Sequence, residues 1–186
     1  MPLPVTAADA RSAADDRLAV LFDVHHRRLW RLARRMVGDG EEARDLVQDC
    51  FLRAARHLGR LPPGEAAAEA WLVRALVNLC RDRRRRRRVR REHHHDAVAS
   101  PAAGPAAAAD PEAAAVARAT MERVLSALPP RRRAVLLFAE IEGLPAARIA
   151  ALLGIGQVTV RWHLAKARAD LAAALAASGP RKEEAR

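Results

Sequence analysis

The stretch RIAALLGIGQVTVRWHLAKARADLAAAL, residues 148–175, decides the fold. Ile149, Leu153, Val160 and Leu164 recur at helical spacing on either side of Gly154-Ile155-Gly156. Two helices therefore meet at a tight turn. Gly154 can take the left-handed conformation that such a turn needs, and Ala150 is small where the helices cross. Ile155 closes the shared interior. The pattern is a helix-turn-helix, and its longer helix carries Gln157, Thr159, Arg161, His163, Lys166 and Arg168 as the polar and basic side chains that can face a major groove. An ordinary helical hairpin shares the apolar spacing, but it needs neither glycine at the turn nor a basic outer face.

Working outward, Ala113 to Leu128 reads as a helix closed by Pro129-Pro130, and Arg131 to Ile141 as another, with Val135, Leu136, Phe138 and Ala139 apolar and Gly143 as its breaker. These complete a second domain over residues 113–177. Upstream, EHHHDAVASPAAGPAAAADPE (92–112) is repeatedly broken by Pro and Gly and carries no large apolar residue except Val98. It reads as a flexible linker that averages ~25 Å end to end and reaches ~70 Å when stretched. Two independently placed domains are expected on either side of it.

The first domain covers residues 15–91. Leu18, Leu21, Phe22, Leu29, Leu32, Ala33 and Met36 define one helix face, ended by Gly38 and Gly40. A second helix from Glu41 to Leu58 turns Ala43, Leu46, Val47, Cys50, Phe51, Ala54 and Leu58 inward, with Glu41 and Glu42 at its positive end and Gly59 as its terminator. After the LPPG loop at 61–64, a third helix from Ala67 to Val89 carries Trp71, Leu72, Ala75, Leu76 and Leu79. Residues 1–14 and 178–186 are expected to be disordered ends. The fold class is all-α: two small helical domains joined by a flexible linker.

Composition agrees. The 186-residue chain is 51% hydrophobic but alanine-rich, with three Phe, three Trp and no Tyr, which favours helices over sheets. No apolar run suits a membrane span, and the N-terminus lacks the pattern of a secretory signal, so a cytoplasmic protein without membrane insertion is expected. Cys50 and Cys80 each sit in an apolar helical pattern and read as small buried thiols. The net charge of +11 is concentrated in RDRRRRRRVRR (81–91), nine arginines against one aspartate. Dense guanidinium charge displaces counterions from a polyanion, which makes nucleic acid the leading partner. Adjacent side chains of the three histidines at 93–95 diverge, and no second ligand cluster accompanies them, so no metal is expected. There is no glycine-rich phosphate loop, no Cys beside a His and no paired carboxylate with a nucleophile; neither enzymatic activity nor a cofactor is expected.

DLVQDCFLRAARHL (45–58) followed by WLVRALVNLCRDRRRR (71–86) resembles region 2 of bacterial RNA polymerase sigma factors. LSALPPRRRAVLLFAEIEGLPAARIAALLGIGQVTVRWHLAKARADL (125–171) is similar to their region 4, and a linker in place of region 3 resembles the extracytoplasmic-function (ECF) group. The resemblance implies a factor that binds core RNA polymerase and promoter DNA, helps melt the DNA, and answers to an anti-sigma factor. It assigns Asp45, Leu46, Gln48, Asp49, Phe51 and Arg53 to the clamp helices of the largest polymerase subunit, with Leu46 and Phe51 also suited to the core. Trp71, Asn78, Asp82, Arg83 and Arg84 fall to the minus-ten element, where an amide can line a pocket for a flipped base and arginines can hold phosphates. Gln157, Thr159, Arg161, His163, Lys166 and Arg168 fall to the minus-thirty-five element. Trp162 stands where Ser is usual, His163 where Arg is usual, and LPPGEAAAEAW lacks the aromatic residue common before the Trp. Two rival readings remain: a helix-turn-helix regulator that never binds polymerase, and an arginine-rich packaging protein indifferent to sequence.

Overall fold

The computed structural model describes the backbone of residues 7–93 and 111–178, with side chains over 15–90 and 119–176. Among the described residues there are seven α-helices and no strand: α1 (Ala7–Val37), α2 (Gly40–Arg56), α3 (Glu65–His93), α4 (Pro111–Ala127), α5 (Pro130–Glu140), α6 (Ala146–Leu153) and α7 (Gln157–Ser178). A single 3-10 turn, Leu58–Arg60, follows α2.

Local chemistry explains the boundaries. Gly38 stops α1 at a positive φ of 85°, and Asp39 caps α2 by accepting from the Glu42 amide at 2.7 Å. The second helix ends at Arg56, before Gly59, because His57 closes it with backbone bonds to Ala54 and Arg53. Pro130 occupies the first position of α5, where a missing N–H costs nothing. Gly154 caps α6 in the left-handed region at φ 64°, as the turn requires.

Two expectations are corrected. Residues 7–14, expected to be disordered, are helical and extend α1. The alanine-rich preference of that stretch prolongs the helix. Helix α3 runs to His93 and α4 starts at Pro111; residues 94–110, most of the expected linker, lie outside the described residues, as does 179–186.

The second correction concerns placement. The two domains do not sit apart: one buried cluster runs from Leu32, Val47, Leu72 and Leu76 of the first into Val135, Phe138, Ile149 and Leu152 of the second. A smaller cluster of Leu128, Leu136 and Ala167 belongs to the second domain alone. Helix α3 packs against both α5 and α6, and the Arg28 guanidinium of α1 stands 6.0 Å from the centre of the Phe138 ring. Cys50 and Cys80 are free, buried thiols whose pKa burial pushes up to about 12, as expected for small apolar core residues.

Candidate nucleic-acid interface

The helix-turn-helix forms as its spacing requires. Val160 and Ala167 are fully buried, Leu164 half-buried, and Gln157, Thr159, Arg161 and Lys166 project into solvent from the outer side of α7. The centre of that outer side is apolar: Val158 is 76% exposed and Trp162 56%. One turn apart, they share a stripe flanked by Arg161 and Lys166. In the sequence Trp162 stands out only as a departure from the family pattern; the available signal for Val158 was its absence from the apolar period.

Two residues assigned to this surface are otherwise engaged. Arg168 donates from Nε at 2.9 Å and from its terminal nitrogen at 2.7 Å to Glu140 of α5. His163 is half-buried, with Nδ1 enclosed and unpartnered. Burial, then the charges of Arg132 and Arg131, lower its pKa. Arg132 stands 5.7 Å from the centre of the Trp162 ring, a cation–π approach that orients the indole.

On α3, Trp71, Asn78 and Asp82 lie at intervals of seven and four residues, on one stripe, and all three are half-buried. Trp71 packs against the core, which limits its ring as a stacking platform. Arg83 and Arg84 leave that stripe. Arg83 donates to the buried carboxylate of Glu42 at 3.2 Å, joined there by Arg87 at 2.6 Å. Arg84 caps the end of α4 through the carbonyls of Leu128 and Ala127. Residues 83–90 are therefore part of a helix, not a flexible run, and Arg85, Arg86 and Arg90 stand exposed beyond these pairings.

Helix α2 separates its residues cleanly. Asp45, Gln48, Asp49 and Arg53 form an exposed row, while Leu46 and Phe51 are buried at 3% and 7% exposure. Both belong to the buried core cluster, in line with the core reading of their places in the apolar period. Beside Gln48, an open groove between α1 and α2 is lined by Phe22, His26, Phe51 and Leu52. Phe22 stacks on His26 at 4.5 Å and approaches Phe51 at 4.9 Å. Phe22, expected on the inner face of its helix, is 43% exposed; the groove is not legible in the sequence because two helices build it.

Among the described residues no helix is long and apolar enough to cross a membrane. The Sigma-70 region 2 family matches residues 21–90 and the Sigma-70 region 4 family residues 118–171. The chain is 36% identical over 165 residues to the ECF RNA polymerase sigma factor SigM of Mycobacterium tuberculosis, covering 88% of this chain and 80% of that protein. Two solved structures share its fold. CnrH, in complex with the cytosolic domain of CnrY, aligns with a TM-score of 0.61 at 28% identity over 93% of this chain and 96% of that one. The sigma factor RpoE of Bartonella quintana, in complex with the anti-sigma factor NepR, aligns with a TM-score of 0.62 at 21% identity over 87% and 96%.

Proposed function

The chain belongs to the sigma-70 family, as an ECF-type RNA polymerase sigma factor serving transcription initiation, and from that premise we propose how its residues divide the task. Sigma factors are in general regulators, not enzymes, and this chain works by binding alone, in the cytoplasm. The exposed row Asp45, Gln48, Asp49 and Arg53 docks on core polymerase, with Phe22 and Leu52 of the adjoining groove extending that surface. Asn78 and Asp82 serve the minus-ten strand, Asn78 as the amide that holds an extruded base.

In the second domain Gln157, Thr159, Arg161 and Lys166 read the upstream element, and the Val158–Trp162 stripe meets thymine methyl groups. Arg168 acts behind this surface by fixing α5 to α7. The two promoter elements lie about two DNA turns of ~34 Å apart, so domains packed as described must separate on the promoter. An anti-sigma factor is a fitting partner for the packed state, since the sigma factor RpoE, which shares this fold, was solved in complex with the anti-sigma factor NepR.

The observation that carries this reading is the coexistence of an outward polar row on α2 with an outward helix-turn-helix on the same chain. Run-off transcription with core polymerase on genomic fragments, with start sites mapped, tests it. Discrete start sites that appear only with the protein are expected. Sequence-specific DNA binding without polymerase pull-down would instead make the protein a regulator working through the helix-turn-helix alone.

A further inference from the structure

Between the domains, α3 and the α4–α5 turn enclose a cavity of about 390 Å³ lined by Arg83, Arg84, Arg87, Arg88, Arg133 and the single carboxylate Glu42 among the described residues. That volume lies within the range of small-molecule sites. Glu42 is already held by Arg83 and Arg87, and Arg84 by two carbonyls. Arg133 differs from them. Its residue is 4% exposed, its Nε has no hydrogen-bond partner, and it forms no ion pair among the described residues. Glu122 acts on it only at a distance, and burial, the dominant influence, pushes its pKa down to about 10. A buried guanidinium without an anion is costly, because desolvation is not offset by a paired charge.

We infer that this cleft binds a linear phosphate anion, two or three phosphoryl groups long, with Arg133 as its innermost ligand. The guanidinium fork matches phosphate oxygens in pairs, and several arginines around one cavity suit an anion of multiple charge. The anion is a small molecule, not a nucleic-acid strand. A strand would have to pass between α3 and the α4–α5 turn, which Arg84 ties together through Ala127 and Leu128. Free polyphosphate and the phosphate chain of a nucleotide offer the same chemistry. Because the site needs both walls, its occupant favours the packed arrangement of the domains.

Calorimetric titration of the full chain with tripolyphosphate, ATP and adenosine tests the site. Tripolyphosphate binding at one equivalent is expected, together with a rise in melting temperature. Equal affinity for ATP assigns a free polyphosphate, tighter ATP binding assigns a nucleotide, and adenosine alone does not bind. Arg133→Gln should weaken binding about tenfold or more. Ser126→Glu should do the same from an exposed position that leaves folding intact, by placing a carboxylate at the cavity wall. Arg131→Gln, exposed on the same turn, should change affinity by no more than about twofold. Absence of saturable tripolyphosphate binding, or equal weakening in Arg131→Gln and Ser126→Glu, would overturn the site. So would a single-stranded oligonucleotide that binds with the same dependence on Arg133.

Discussion

Arg28 of α1 donates to Glu142, in the loop between α5 and α6, at 2.8 Å, so an ion pair spans the boundary between the two domains. The same guanidinium pairs with Glu69 of α3, and Glu69 in turn receives Arg148 of α6. Two carboxylates and two arginines, contributed by both domains, thus form one partly buried network. Above it, the Arg74 side chain lies against the helix-turn-helix turn, where a Cβ on Gly154 would stand 3.1 Å from Arg74 Cδ.

Glu69 is the centre of that network. Glu69→Arg would place three cations together at a mostly buried position and should disfavour the packed arrangement by about 3 kcal/mol. X-ray scattering in solution should then give a larger radius of gyration than the parent, whereas Glu41→Gln, which removes an exposed pair with Arg44, should leave it unchanged. A Glu69→Arg chain as compact as the parent would show that the apolar contacts alone hold the domains.

Polymerase docking through α2 predicts a different separation. Charge reversal at both Asp45 and Asp49 should abolish association with core enzyme, while helix content and DNA binding by the helix-turn-helix persist, because both side chains are exposed. Pull-down and circular dichroism on the double variant decide this. Core affinity equal to the parent's would remove α2 as the docking row.

Helical periodicity made the inner faces of α2 and α6 legible, from Ala43 and Val47 through to Ile149 and Leu153, since each helix buries the side its own spacing defines. Leu152 and Phe138 were harder to place. They belong to the buried cluster that both domains share, and no local period distinguishes an apolar residue facing its own domain from one facing another. The candidate site divides the same way. Outward residues such as Arg161 and Asp49 follow from the helix period, but the pairings that occupy Arg168, Arg83 and Arg84 depend on Glu140, Glu42 and the end of α4, and become visible only when the helices are assembled.

If Asn78 holds an extruded base, Asn78→Ala should slow open-complex formation on a closed promoter. A template carrying a pre-opened bubble should largely restore the rate. Following open-complex formation by fluorescence on both templates makes the comparison, and equal defects would mean that the half-buried Asn78 supports α3 and does not contact DNA.

His163 predicts a pH dependence of stability. Its folded pKa is lowered from the ordinary 6.5, chiefly by burial, so below that pH the unfolded chain binds more protons than the folded one. Stability should therefore fall as pH drops below about 6.5 and should not depend on this group above it. His25, buried and shifted in the same direction, adds to the effect. Melting temperatures between pH 8 and pH 5 should show a shallower decline in His163→Gln than in the parent, and shallower again with His25→Gln added. Parallel curves would place the acid sensitivity elsewhere.

Base readout and phosphate attraction should fail in distinguishable ways. Arg161 projects from α7 unpaired by any carboxylate in the described residues, where its fork can meet two acceptors of a guanine. Arg85, Arg86 and Arg90 stand exposed on α3, where guanidinium groups can meet the backbone charge of DNA. Arg161→Ala should cost about 1–3 kcal/mol on the cognate upstream element and little on scrambled duplex. Replacing the three α3 arginines with Gln should weaken binding to both and reduce the salt slope by roughly one unit for each phosphate no longer neutralised, up to ~3. Affinity measured against salt for both variants on both duplexes separates the two. Should Arg161→Ala lower cognate and scrambled affinity equally, Arg161 meets phosphate alone, and readout passes to Gln157, Lys166 and the exposed Val158–Trp162 stripe between them.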